Sequence, residues 1–115
     1  LAVEHLKYLF LIIIMGAKLY RNWRYDTINV VEPYYEIISE GGKLLIVVDM
    51  PGAYKDKISV EVGRREVVIS AIGYDIKYYA IIRLKQEVIP ETAKAKYKNG
   101  VLTIEIKRKK LLGVI

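Results

Sequence analysis

The chain has no cysteine and a single histidine, His5. The first absence removes disulfides and all thiolate chemistry and fits a reducing cytosol, so a cytoplasmic protein is expected. The second leaves metal binding to carboxylates alone, and no EF-hand-like spacing of them occurs. No GxxxxGK[ST], GxGxxG or HExxH run is present, which removes the usual signatures of nucleotide, dinucleotide and zinc-protease chemistry. The serines Ser39, Ser59 and Ser70 have only that one histidine, in the N-terminal arm, so no triad can be assembled. Glu32, Glu36 and Glu40 are spaced like one helix face, but Pro33-Tyr34-Tyr35 is extended in character and the spacing is coincidental. Catalysis has almost no residues to stand on, and neither an enzyme nor a cofactor or metal is expected.

A long hydrophobic run is also missing. Leu9–Met15 is continuous and apolar, but Lys7 and Lys18 bracket about half of the roughly 20 residues a span requires, so no stable membrane insertion is expected. A signal peptide is the alternative, with Lys7, an apolar stretch and the small residues Gly16-Ala17. Glu4 spoils its basic start, and no A-x-A pattern follows. The segment 1–30 is therefore read as an arm whose residues Leu9, Phe10, Leu11, Ile12, Ile13 and Ile14 need something to cover them. The chain begins with Leu1, and Met15-Gly16-Ala17-Lys18 offers a second plausible start, in which case the apolar run would be untranslated.

What is present is one domain's worth of strand-forming sequence. At 115 residues the chain supports one two-layer core with short extensions. Gln86 is the only glutamine, isoleucine is abundant and Lys and Glu crowd the surface positions, a bias resembling that of hyperthermophile proteins. The net charge of +6 could suggest nucleic acid. Much of the excess, however, lies in Lys107-Arg108-Lys109-Lys110 and on Lys94, Lys96 and Lys98, which alternate with Ala93, Ala95 and Tyr97. A solvated strand face and a basic tail account for them, and no nucleic-acid partner is expected.

From Val30 onward, strand follows strand. Tyr34–Ile38 closes at Glu40-Gly41-Gly42, and Lys43–Val48 is apolar enough for a strand covered on both faces. Ile58, Val60 and Val62 alternate with Ser59 and Glu61. Gly63-Arg64-Arg65 turns into Glu66–Ile72, followed by Tyr78–Leu84, an irregular stretch around Pro90, Thr92–Tyr97 and Val101–Ile106. In the last strand Leu102, Ile104 and Ile106 face one way. Short strands with regular turns and no convincing long helix predict an antiparallel β-sandwich.

Two turns carry more than that. Pro51-Gly52 in Asp49-Met50-Pro51-Gly52 must stop the preceding strand, with Asp49 accepting backbone N–H bonds. Asn99-Gly100 wants φ > 0 at both central positions, as a type I′ hairpin turn requires. In this order, about fifty residues apart, the Asp49–Gly52 turn and Ala95-Lys96-Tyr97-Lys98-Asn99-Gly100-Val101-Leu102-Thr103-Ile104 resemble the small heat-shock protein/α-crystallin family. That family has a D-[LM]-P-G turn early and an A-x-[YF]-x-[ND]-G-V-L-x-[IV] signature late.

The resemblance implies an all-β, immunoglobulin-like sandwich (the α-crystallin domain) over residues 31–109, with the apolar arm before it and a tail, 110–115, after it. It further implies an ATP-independent holdase, active as a homo-oligomer built from dimers, whose clients are partly unfolded proteins met by the arm. In the tail, Leu112-Gly113-Val114 resembles the family's [IV]-x-[IV] motif, which packs Leu112 and Val114 into a neighbour's groove. By the same resemblance the groove lies between Lys57–Val62 and Thr92–Tyr97, lined by Ile58, Val60, Ala95 and Tyr97. Ile82-Arg83-Leu84 matches an interface segment of the family, although Lys85 stands where it has proline; a solvent-facing arginine on an edge strand is the other reading of Arg83.

The chain departs from archaeal and bacterial members between the strands Glu66–Ile72 and Tyr78–Leu84. Only Gly73–Lys77 intervenes, at most about 16–18 Å of extended chain, too little for a strand that crosses to a partner. The expected dimer edge is instead Tyr74–Leu84, with Tyr78, Ala80, Ile82 and Arg83, pairing with its two-fold mate. The alternative to a holdase is a monomeric or dimeric adaptor of the related CS co-chaperone type.

Overall fold

The computed structural model describes residues 29–110. Eight strands build them: β1 (Asn29–Val31), β2 (Tyr35–Glu40), β3 (Lys43–Asp49), β4 (Ala53–Val62), β5 (Glu66–Gly73), β6 (Ile76–Arg83), β7 (Lys94–Lys98) and β8 (Val101–Lys107). They form two four-stranded sheets, in the orders β1-β6-β5-β4 and β2-β3-β8-β7. The expected sandwich is present, and the period-two pattern explains it. Leu44, Ile46 and Val48 of β3 lie opposite Ile106, Ile104 and Leu102 of β8. On the facing sheet Val67, Ile69 and Ala71 of β5 oppose Ile82, Ala80 and Tyr78 of β6. All twelve side chains are buried and belong to one core. Complete burial of an aliphatic side chain of this size contributes about 1.5–3 kcal/mol before ordering costs, so these two grids hold the layers together.

The turns follow their residues. Asn99 and Gly100 have φ of 52° and 81°, the conformation expected of a type I′ hairpin turn. Gly52 has φ 85°, and Ala53 N–H donates to Met50 O at 3.3 Å, giving a type II turn with Pro51 at its first corner. Between β5 and β6 stand only Tyr74 and Asp75, the latter at φ 59°; register is kept up to Gly73 opposite Ile76. No additional strand fits there.

Several expectations need correction. The sandwich is not wholly antiparallel: β1 runs parallel to β6, pairing Asn29, Val30 and Val31 with Ile76, Lys77 and Tyr78. The second strand is Tyr35–Glu40, running further along the chain than its apolar content suggested. Strand β3 is buried on one face only, because Leu45 and Val47 look out from the second sheet and are half-covered. Strand β4 starts at Ala53 rather than Lys57, and its register against β5 shifts between Ala53 and Ile58. The bulge carries Tyr54, Lys55, Asp56 and Lys57 exposed, a device that bends an edge away from unwanted pairing. The irregular stretch contains a 3-10 turn, Pro90–Thr92, and buries Val88 and Ala93 in the core.

Candidate functional site

The Pro51-Gly52 turn joins the two sheets and is held from both. Tyr78 on β6 donates its hydroxyl hydrogen to Pro51 O, and Tyr97 on β7 donates to Met50 O, each at 2.7 Å. Met50 N–H in turn donates to Gly100 O at 2.8 Å, so the two turns that mark the sequence lie against each other. The Asp49 side chain, expected to accept backbone N–H bonds, makes no hydrogen bond among the described residues; only its N–H is engaged, with Tyr34 O at 2.9 Å. The reason is its strand geometry: Asp49 ends β3 in register with Val101, its side chain in solvent. Burial, with the nearby Tyr97 second, pushes the Tyr78 hydroxyl's pKa up. Neither tyrosine was assigned this role from sequence; an aromatic hydroxyl reaching a carbonyl on another element leaves no local signal.

The four residues assigned to a groove all border one core. Ile58 and Val60 are buried in it, and Ala95 and Tyr97 are half-buried against it. Their strands β4 and β7 are the outer strands of the two sheets. Outward from β7 stand Lys94, Lys96 and Lys98, exposed as expected.

The expected dimer edge is altered in two ways. The side chains of Tyr78, Ala80 and Ile82 point inward and are buried in the core, because alternation along β6 puts Lys77, Tyr79, Ile81 and Arg83 on the other face. Its first three residues are also already paired by β1. What stays without a neighbouring strand on that side, among the described residues, is the main chain of Tyr79–Arg83. Arg83 is turned to Glu66, its cross-strand neighbour, with an N–O distance of 3.2 Å. Beside it the β4–β5 turn and the end of β6 leave a shallow depression in which Glu87 takes Arg65 at 3.9 Å and Lys109 at 3.5 Å. Such exposed pairs contribute about 0–1 kcal/mol each. Among the described residues no group of His, Cys, Asp and Glu could hold a metal ion, and no helix is long and apolar enough to cross a membrane.

This arrangement of strands has solved counterparts. A Del-C4 mutant of hsp14.1 from Sulfolobus solfatataricus P2 is 33% identical, with 83% of this chain and 96% of that one aligned at a TM-score of 0.62. The chain belongs to the small heat-shock protein family. A point mutant of the same hsp14.1 aligns at 28% identity over 88% of this chain and 93% of that one, also at 0.62. Heat shock protein 16.0 from Schizosaccharomyces pombe, at 13% identity and a TM-score of 0.64 over 84% and 85%, shares the fold. No protein-family model and no curated protein matches the chain.

In this small heat-shock protein the sequence-assigned regions divide. The groove residues and the β6 edge lie within the described sandwich. The arm residues Leu9, Phe10, Leu11, Ile12, Ile13 and Ile14, and the tail residues Leu112 and Val114, lie outside the described residues.

Proposed function

We propose that this chain is an ATP-independent holdase, a homo-oligomer built from dimers that binds partly unfolded proteins under heat stress in the cytoplasm. The observation that carries the reading is apolar surface left open at the sandwich edges of a heat-shock family member. Ile37 and Ile38 on β2, and Tyr79 and Ile81 on β6, are 38–44% exposed. Binding an unfolded client lowers the free pool that aggregates, and no covalent step is required. The arm Leu9–Ile14 adds apolar surface for the same clients. Leu112 and Val114 of one subunit occupy the Ile58, Val60, Ala95 and Tyr97 groove of the next, while the main chain of Tyr79–Arg83 pairs with its two-fold mate. Each aliphatic contact is worth about 1.5–3 kcal/mol before ordering costs. Single contacts of that size break readily, whereas many in a closed assembly hold. The adaptor alternative is not favoured, since the similar solved structures are heat-shock proteins.

The test is light scattering of a heated client protein with and without this chain. Suppressed aggregation at equimolar subunits is expected; unchanged aggregation at every temperature would refute the holdase. Native mass on dilution checks the assembly, a large oligomer that falls to dimers being the expected result.

A further inference from the structure

The outer edge of β6 is occupied over only part of its length. β1 covers Ile76, Lys77 and Tyr78, and among the described residues the main chain of Tyr79–Arg83 has no neighbouring strand on that side. The end of β1 is fixed in place. After three intervening residues the chain becomes β2 of the other sheet. On the way Pro33 is buried, and Tyr34 O accepts the Asp49 N–H at 2.9 Å. β1 itself is a thin strap: Val30 and Val31 are 65% and 38% exposed, and neither belongs to the core.

A second β6 laid antiparallel along this edge runs on the same line as β1, about 4.8 Å from the first, so only the open stretch can receive it. In a two-fold pair each residue meets the one that mirrors it about a centre. Like parity must meet like parity if the two core faces are to run on as one, so the centre falls on a residue. Centring on Ile81 uses the whole open stretch, Tyr79 to Arg83, and stops against β1 of each copy. Centring on Tyr79 or Ala80 drives each strand into the other copy's β1. The Ala80 centre also sets Arg83 against the partner's Lys77, a like-charge pair. Centring on Ile82 shortens the pairing, because β6 ends at Arg83. The Ile81 centre suits the side chains as well. On the outer face Tyr79 comes opposite the partner's Arg83, ring against guanidinium, and Ile81 meets its own copy. On the core face the small Ala80 comes opposite the partner's Ile82.

We propose that β1 is a register stop: resting on the reading that two β6 edges pair, it sets the copies about Ile81, with Tyr79 opposite the partner's Arg83. Loss of β1 frees Ile76–Tyr78 and opens the longer register centred on Tyr79, in which Arg83 meets the partner's Asp75. The strap thus gives up length of pairing for a single register.

The chain contains no cysteine, so an introduced thiol reports on one position at a time. Full-length Tyr79→Cys, Ile81→Cys and Arg83→Cys chains are oxidised singly and in pairwise mixtures, with native mass measured alongside. Directly opposite Cα atoms in an antiparallel pair lie about 4.5–5.5 Å apart, within disulfide reach. About an Ile81 centre, position 79 and its own copy are offset by about 14 Å along the strand, as are the two copies of 83. Position 81 is therefore expected to link to itself at least about ten-fold faster than 79 or 83, and Tyr79→Cys chains to link to Arg83→Cys chains. Faster self-linking at 79 or 83, or preferred links between 81 and either neighbour, would overturn the register and leave edge pairing standing. Monomers at every concentration, or dimers by mass with no link at any position, would sink the edge pairing and the register with it. Val30→Pro with Val31→Pro then removes the strap without touching the core. Self-linking at 79 is expected to rise at least about five-fold relative to 81, and an unchanged ratio would show that β1 is not the stop. If the proline pair fails to fold, Val30→Gly with Val31→Gly loosens the same strap.

Discussion

Tyr78 and Tyr97 stand on opposite sheets and donate to the carbonyl oxygens of two consecutive residues, Pro51 and Met50. The turn that carries the chain from one layer to the other is thereby clamped from both. Each bond satisfies a tyrosine hydroxyl that would otherwise be costly to enclose.

Replacing either tyrosine by phenylalanine removes the clamp while keeping the ring. Tyr78→Phe and Tyr97→Phe are each expected to lower unfolding stability by about 0.5–1.5 kcal/mol. The double variant should depart from additivity, because the two acceptors are adjacent. Urea unfolding midpoints at unchanged slope are the measurement.

The Tyr78 hydroxyl also sets an alkaline limit. The folded state raises the Tyr78 pKa above its ordinary 10.0, chiefly through burial, so it favours the protonated hydroxyl. The associated stability is fully present below the unfolded pKa and is lost as pH rises from there through the folded value. Stability should therefore fall above about pH 10, and Tyr78→Phe should flatten that fall. Tyr34, raised mainly by its hydrogen bond to Glu36, is fully exposed and serves as the control: Tyr34→Phe should change the profile less.

Gly73 packs against the Gly52 backbone. A Cβ added there would collide with the Gly52 carbonyl oxygen and lie 2.9 Å from its carbon, and backbone cannot swing aside as a side chain can. Gly73→Ala should cost about 1–3 kcal/mol. Gly42 has nothing within 4 Å and no positive φ, so Gly42→Ala should be neutral or stabilising by about 0.4–1 kcal/mol through the unfolded state. Thermal unfolding of the two variants side by side decides it.

The groove is best probed from the tail. Ile58 is 2% exposed, so Ile58→Ala would cost about 2–5 kcal/mol of fold and report on the core instead of the assembly. Leu112→Ala with Val114→Ala is expected to shrink the oligomer to its building block with an unchanged circular dichroism spectrum. An unaltered native mass would refute the tail assignment.

The legible parts of this fold were those written in neighbouring residues. Alternation placed Leu102, Ile104 and Ile106 on one face, and Asn99-Gly100 and Pro51-Gly52 announced their turns because φ is a property of the residue itself. What escaped depends on residues far apart. The parallel β1–β6 pair joins segments more than forty positions distant, the β4 bulge is visible only against the β5 register, and the tyrosine clamp needs both sheets in place. The burial of Tyr78, Ala80 and Ile82 escaped for a related reason: they are apolar because they fill the core, and apolar content alone does not say which face of a strand is buried. The groove residues were placed by family resemblance, and the structure sets them around one core.

The two-residue link Tyr74-Asp75 bears on kinetics. Where protomers exchange strands, each must partly unravel before it can leave, and departure carries a barrier borrowed from unfolding. Here the β5–β6 hairpin closes on itself. In the proposed assembly that hairpin would give a departing protomer nothing to unthread, and the lifetime of its contacts would be set by the interface.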